Sequence, residues 1–210
     1  MIQLTRNGIR GSSDLDALRE EFASTDAVRL PKLLSVDIMA RIFELMERGR
    51  WIENIHPGIS RELLLEDTLA LHLLQFVTSA PDFLTVIERI ASCAQPTNFQ
   101  GRIYRMLPGA EHQDSWHDDA GEGRMVGMSI NLSPHPYAGG VLQFRRRRTK
   151  ELLRELPNVI SADAILFRIS PELEHRVSPV EGVEPKTAFA GWFKTVGIDF
   201  LASIRQYPSP

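Results

Sequence analysis

From residue 99 onward the chain breaks into short apolar or alternating runs, each closed by a turn signal. This spacing limits the possible folds more than any other feature of the sequence. Residues 99–107 alternate, include Ile103 and Tyr104, and stop at Pro108-Gly109. Further strand candidates lie at 124–132, 141–145, 159–160, 164–169, 174–177 and 187–196, the second of them entered through Gly139-Gly140. Many short strands at such intervals build a sandwich or a jelly roll. Residues 150–156 read as a short helical insertion among them.

The first 95 residues have a different character. A helix is expected over 13–24, capped by Ser13 with Asp16 in a capping-box-like start, and with Leu15, Leu18 and Phe22 at helical spacing. Residues 27–30 form a short strand candidate stopped by Pro31. Ser35 caps a second helix whose apolar face is Ile38, Ile42, Leu45 and Met46, ended by Gly49. Residues 51–65 carry Trp51, Pro57 and Gly58 and read as irregular. Helices are expected again over 66–77 and from Pro81, the latter burying Phe83, Leu84, Ile87 and Ile90. Tyr207-Pro208-Ser209-Pro210 is expected to fray. Without an obvious linker, the 210 residues are expected to form one α+β domain, with a helical support region (1–95) packed on one face of a β core (96–198).

Composition narrows the function. A net charge of -3 provides no general attraction to nucleic acid, which is therefore disfavoured as a partner. One cysteine, Cys93, excludes an internal disulfide framework and suits a reducing compartment. The N-terminus lacks an apolar signal core, and no run approaches the roughly 20 apolar residues that span a bilayer. A soluble cytoplasmic protein without a membrane partner is expected; the oligomeric state is open.

Trp116-His117-Asp118-Asp119 holds the chemistry. In extended backbone His117 and Asp119 project to one side and Asp118 to the other, so Asp119 is the better ligand. His175, in a later strand candidate, supplies a second imidazole. Two imidazoles and one carboxylate on one face of a metal ion leave three positions open, as in non-haem iron(II) oxygenases. A closed zinc site would want four protein ligands, usually thiolates, and one cysteine cannot supply them. His-x-Asp alone is nevertheless a common chance pattern, and a lone strand histidine is usually just a hydrogen-bonded polar residue.

The run His175-Arg176-Val177-Ser178-Pro179-Val180-Glu181-Gly182, followed by Lys186 and Trp192-Phe193, adds context. With Gly139-Gly140-Val141-Leu142-Gln143-Phe144 and Ala164-Ile165-Leu166-Phe167, it resembles the 2-oxoglutarate/iron(II)-dependent dioxygenases, in particular their prolyl-4-hydroxylase-like branch, over residues 99–195. The resemblance implies a double-stranded β-helix (jelly roll) core. It implies His117, Asp119 and His175 as Fe(2+) ligands, and Lys186 as partner of the 2-oxoglutarate C5 carboxylate. O2 would be the co-substrate, and an unactivated C–H of a small molecule or peptidyl residue would be hydroxylated with release of succinate and CO2. An aspartate at position 119 implies hydroxylation, because the related halogenases lack that carboxylate. Where relatives place a co-substrate tyrosine, this chain has Met106 and Leu107. Tyr104 shares their pocket-side parity with Met106, and Asn131 falls where a polar residue often reaches the same carboxylate.

The loops 108–116 and 133–138 flank the expected site, making Glu111, His112, Gln113, Asp114, His135 and Tyr137 candidates for substrate contact. Trp116 would form a pocket wall or pack in the core. Arg145-Arg146-Arg147-Arg148 could attract an acidic group, but reads better as a solvated strand end. Two other readings stay open: a non-catalytic metal-binding jelly-roll sensor or binding protein, and a cupin-type metal enzyme using Glu111 or His112.

Overall fold

The protein is described by a computed structural model covering residues 1–11, 14–66, 68–121 and 123–195. A short hairpin, β1 (Gln3–Thr5) and β2 (Gly8–Arg10), opens the chain. Helix α1 (Leu15–Thr25) is capped by Asp14, whose carboxylate accepts from the Asp16 and Ala17 amides. The expected cap, Ser13, lies outside the described residues. Strand β3 (Ala27–Leu30) follows, then α2 (Val36–Glu47), with Ser35 at its N-cap as anticipated.

Residues 51–65 are not irregular. They form a regular hairpin, β4 (Trp51–His56) and β5 (Ser60–Leu65), paired from Trp51↔Leu65 to His56↔Ser60. Pro57 and Gly58 mark its turn rather than a break in structure. Helices α3 (Leu69–Thr78) and α4 (Pro81–Ala91) come next, with Pro81 in the first turn of α4, where its missing N–H costs nothing. Among the described residues no single helix is long and apolar enough to cross a membrane.

The second half is β6 (Asn98–Met106), β7 (Gln113–Asp114), β8 (Arg124–Asn131), β9 (Ala138–Gly139), β10 (Leu142–Arg146), β11 (Leu152–Leu156), β12 (Ala164–Arg168), β13 (Leu173–Val177), β14 (Val180–Glu181) and β15 (Lys186–Lys194). Residues 150–156, expected to be helical, supply strand β11, which pairs antiparallel with β10. The helical preference of the leucines there yields to cross-strand pairing, including Gln143 with Glu155. Residues 159–160 lie in a loop, not a strand.

The strands make a curled antiparallel half-barrel. Its large sheet runs β3-β12-β8-β15-β6-β5-β4, with β7 attached to β5, and a smaller sheet runs β11-β10-β13. Three strands of the large sheet therefore come from the N-terminal part. Alternation along each strand separates two cores. Phe99, Ile103, Met128, Ile130, Phe189 and Phe193 face the helices, packing with Phe83, Leu74 and Ile42. Tyr104, Met106, Ala188, Ile165 and Phe167 face inward against Leu142, Phe144 and Val177 of the smaller sheet. The inner face is where a ligand can enter.

At the centre, β6 and β15 approach so closely that no side chain fits at Gly191. A Cβ there would lie 1.9 Å from the Gln100 carbonyl oxygen and 2.4 Å from the Gly101 Cα. Both obstacles are backbone, so relief requires parting two central strands. Gly191→Ala is expected to destabilise the fold by about 3 kcal/mol or more, at the upper end of overpacking costs. Chemical denaturation measures it, and a loss below about 1 kcal/mol would contradict this reading of the strand contact.

Candidate active site

Three ligand-type side chains meet at the open end of the inner face. One donor atom from each of His117, Asp119 and His175 lies within 4.8 Å of the others. His117 and His175 are backbone partners: each amide donates to the other's carbonyl, at 3.0 and 2.8 Å. This isolated bridge joins the loop after β7 to β13, so the two imidazoles are brought together by a β contact absent from the local sequence. The His175 ring is buried against Phe167, with centroids 4.9 Å apart, and tilts toward Phe144.

Asp119 arrives by a different route from the one expected. Its backbone is not extended but left-handed, with φ of 53°. The turn, rather than strand alternation, aims its carboxylate at the histidines. His175 Nε2 is 3.2 Å from Asp119 Oδ2, and His117 Nε2 is 3.6 Å from Oδ1. The Trp192 indole donates to Oδ2 at 2.7 Å. Asp118 borders the same cavity but is not in the ligand group. It accepts from the Ala120 amide and pairs with Arg147.

Charge follows this geometry. Burial alone would raise the Asp119 carboxyl, but hydrogen bonds from His117 and His175 outweigh it and hold the group well below the usual carboxylate range. Burial alone would lower His117, but Asp119 and Asp114 prevail and push it up to about 9. The group thus favours a cation, whether proton or metal ion. His117 Nδ1 lies 2.6 Å from the Ser115 carbonyl, which fixes the ring and leaves Nε2 facing Asp119.

The cavity has a volume of about 360 Å³ and is lined by His117, Asp119, His175, Tyr104 and Lys186 together. Lys186 is 3% exposed, and its Nζ donates to the Gly140 carbonyl at 2.7 Å. No carboxylate pairs with it among the described residues, and burial pushes its pKa down to about 8. Gly140 has φ of 58°, and a Cβ there would sit 2.9 Å from Lys186 Cδ, so the Gly-Gly turn makes room for the lysine. Burial holds the Tyr104 hydroxyl well above the ordinary tyrosine range, so it remains a hydrogen-bond donor. Asn131 stands off the cavity wall. Its Oδ1 accepts from the Ser133 amide, while its buried Nδ2 has no partner.

Of the loop residues expected to touch substrate, only Asp114 lines the cavity. Glu111 pairs with Arg61 on the surface. His112 accepts from the Leu107 amide through Nδ1, a structural role that does not support a metal ligand. Tyr137 donates to the Asn158 carbonyl, and Gln113 and His135 point to solvent. Asp114, expected only as one of six substrate-contact candidates, also supports the histidine pair. Its Oδ2 accepts from the Val177 amide and its Oδ1 lies 3.4 Å from His117 Nδ1.

Part of the arginine run is not a solvated strand end. Arg145 pairs with Glu174 at 2.6 Å and stacks 4.2 Å over Trp116, whose ring also meets Arg176 at 4.7 Å. Trp116 therefore packs between two guanidiniums instead of walling the cavity. The neighbours in sequence of His117 and His175, namely Trp116 and Glu174, are thus both held by Arg145. Arg147 holds Asp118, between His117 and Asp119.

Fold and site define a class: a jelly-roll protein whose His-Asp-His group, at the mouth of the barrel, can hold a metal ion. Residues 100–194 match the sequence profile of the 2OG-Fe(II) oxygenase superfamily. In fold, the chain is similar to a Pseudomonas putida prolyl-4-hydroxylase (15% identity, TM-score 0.65, covering 88% of this chain and 100% of that one). It is also similar to a Burkholderia pseudomallei oxidoreductase of the 2OG-Fe(II) oxygenase family (13%, 0.67, 89% and 93%). A third similar structure is a non-haem α-ketoglutarate-dependent epimerase from nogalamycin biosynthesis (13%, 0.61, 93% and 91%). A search of curated protein sequences finds no significant match. Over residues 100–194 the chain is thus similar in sequence to the 2OG-Fe(II) oxygenase superfamily, and its fold is similar to those of solved structures that include a prolyl-4-hydroxylase. That family uses Fe(2+), 2-oxoglutarate and O2.

Proposed function

We propose that the protein is an iron(II)/2-oxoglutarate-dependent hydroxylase acting on an unactivated C–H of a small molecule or peptidyl residue. The observation that carries this reading is one cavity lined both by the His-Asp-His group and by a buried lysine with no acidic partner among the described residues. His117, Asp119 and His175 would hold the metal, and Lys186 the distal carboxylate of 2-oxoglutarate. The residues fit these groups. The donor atoms converge within 4.8 Å, and a buried ammonium bonded only to a carbonyl is suited to an anion. Tyr104 offers a further donor in the same cavity.

When bound, the cofactors supply the oxidising power that converts C–H to C–OH while 2-oxoglutarate becomes succinate and CO2. The protein supplies orientation and shielding. Ser115 and Trp192 fix the faces that His117 and Asp119 present. Phe167, Ile165, Leu142 and Val177 keep that end of the cavity apolar and dry. Asp119 supports oxygenation over halogenation, because the carboxylate position is filled. The direct experiment is iron(II)-dependent succinate formation from 2-oxoglutarate. Metal binding without succinate would instead favour a sensor or binding protein. Unchanged turnover in both His117→Ala and Asp119→Ala would overturn the site assignment.

The Lys186 reading has a pH signature. Its folded pKa, about 8, lies below the roughly 10.4 of an unfolded lysine. Between those values the folded protein binds fewer protons than the unfolded chain, so this group makes stability rise with pH across that window. A bound carboxylate reverses the shift. Metal-loaded protein at about pH 9 should take up a sizeable fraction of a proton per 2-oxoglutarate, and almost none near pH 6. Calorimetry in buffers of different ionisation enthalpy reads this uptake. Its persistence in Lys186→Met would assign it to another group.

Arg145→Met should weaken metal binding by about 10-fold while leaving the thermal midpoint nearly unchanged, because it loosens both histidine-bearing segments without touching a ligand. Cobalt(II) titration followed by its visible absorption tests this. Unaltered affinity would show that the contacts of Arg145 with Trp116 and Glu174 are dispensable.

A further inference from the structure

Arg146 ends β10, and Arg147 and Arg148 begin its turn to β11. With Pro171 and Glu172, ahead of β13, these three arginines line a second hollow of about 500 Å³. It shares no lining residue with the metal cavity. The turn is held by its backbone. The Arg146 amide donates to the Glu151 carbonyl and the Lys150 amide to the Arg146 carbonyl, at 2.9 and 2.8 Å. The Arg147 amide donates to the Glu172 carbonyl at 2.8 Å, which ties the turn to the segment before β13. The guanidiniums therefore stand on a fixed base.

Their charge is incompletely answered. Arg148 is exposed and meets no partner among the described residues. Arg146 Nε reaches Glu151 only at 3.7 Å, between two exposed side chains, a pairing that contributes little. Arg147 Nη1 pairs with Asp118 Oδ2 at 2.5 Å. Glu172, the one carboxylate in the lining, accepts from the Ser170 hydroxyl. Beside the turn, Arg145 and Lys150 share a single acid, Glu174. Adjacent guanidiniums suit the tetrahedral, multiply charged oxygens of phosphate, since each can hold two oxygens at once. The extent of the patch matters as well. Asp118, Glu151, Glu172 and Glu174 border it, so it is short and does not continue as a stripe that would follow a nucleic-acid backbone.

We propose that this turn binds a compact phosphate chain, a di- or triphosphate group, through Arg146 and Arg148, with Arg147 divided between that ligand and Asp118. Asp118 precedes Asp119, so occupation of the hollow acts on the turn that carries a proposed metal ligand. The site needs no metal and does not depend on the oxygenase reading.

The test uses the full-length protein with metal removed, since pyrophosphate would sequester an added ion. Arginine Nε–Hε resonances are followed by NMR at mildly acidic pH, each assigned by its loss in a single lysine variant. Inorganic pyrophosphate should give a saturable shift of the Arg146 and Arg148 signals, and acetate at equal ionic strength none. Arg148→Gln should bind pyrophosphate about 10-fold more weakly, the loss of a charge-assisted hydrogen bond. Arg19→Gln, an equal loss of charge at an exposed position of α1, should bind as the wild type does. Asp118→Asn should bind about 3-fold more tightly, because Arg147 is released from its own carboxylate. No saturable shift, an equal response to acetate, equal weakening in Arg19→Gln, or unaltered affinity in Arg148→Gln would each overturn the proposal. So would movement of the Arg102 and Arg124 signals alone, which would place the anion in the metal cavity. Tighter binding of a mixed-sequence oligonucleotide than of pyrophosphate would overturn the compact ligand, and unaltered affinity in Asp118→Asn the sharing of Arg147. Phosphatidylcholine vesicles with and without a phosphoinositide separate two sources of the same chemistry. Cosedimentation that requires the phosphoinositide places the phosphate on a lipid headgroup, and pyrophosphate binding without cosedimentation places it on a soluble ligand; both support the site.

Discussion

Asp119→Ala is expected to abolish iron(II)-dependent succinate formation, by at least about 100-fold, and to weaken metal binding to a similar degree. The carboxylate does two things that alanine cannot. It supplies the negative charge that draws a cation between the two imidazoles, and it accepts the Trp192 indole N–H. Without it, His117 keeps only Asp114 as an acidic neighbour. The apo fold should persist, because position 119 lies in a partly exposed turn and not in either core. The measurement pairs metal titration with succinate assay on protein of unchanged circular dichroism. Full metal affinity in the variant would remove Asp119 from the ligand set. Asp118→Ala is the matched control. It should cost far less, since Asp118 points to Arg147.

Lys186→Ala is expected to raise the concentration of 2-oxoglutarate needed for turnover by about 100-fold or more, the scale of losing one partner of a buried ion pair. Metal affinity should change much less. The split matters because Lys186 is buried, so a purely structural role would damage both. Thermal stability of the apo variant should not fall in proportion. The wild type buries an ammonium whose only polar partner among the described residues is the Gly140 carbonyl, which is itself unfavourable, and alanine removes that cost along with the packing. Parallel loss of metal and 2-oxoglutarate affinity would make Lys186 a support of the fold instead of an anchor.

The strand series was readable because each run alternates between two different cores. Residues 164–168 and 186–194 were readable as short apolar runs between turn signals, being buried on both faces, and the helices from Ser35 and Pro81 carry cap signals that match their observed starts. The hairpin Trp51–His56 and Ser60–Leu65 was not readable. Its first strand lies at the edge of the large sheet, where exposed Glu53 and Ile55 blur the pattern. Strand β11 was misread because leucine and glutamate favour a helix in isolation, while pairing with β10 decides the outcome. The triad was legible as residue types, yet the reason for choosing Asp119 was mistaken: a left-handed turn does what strand parity was expected to do.

The sequence by itself determined the fold class, because strand periodicity is a local property, and it named His117, Asp119 and His175 as candidate ligands through the resemblance its motifs carry. It also pointed to Lys186 through an ordered set of motifs. Only the tertiary structure decided how those residues meet. The His117–His175 bridge, the Trp192 bond to Asp119 and the Arg145 contacts with Trp116 and Glu174 all join positions far apart in the chain. Such contacts depend on sheet register and turn geometry, and neither is encoded in any short stretch of residues.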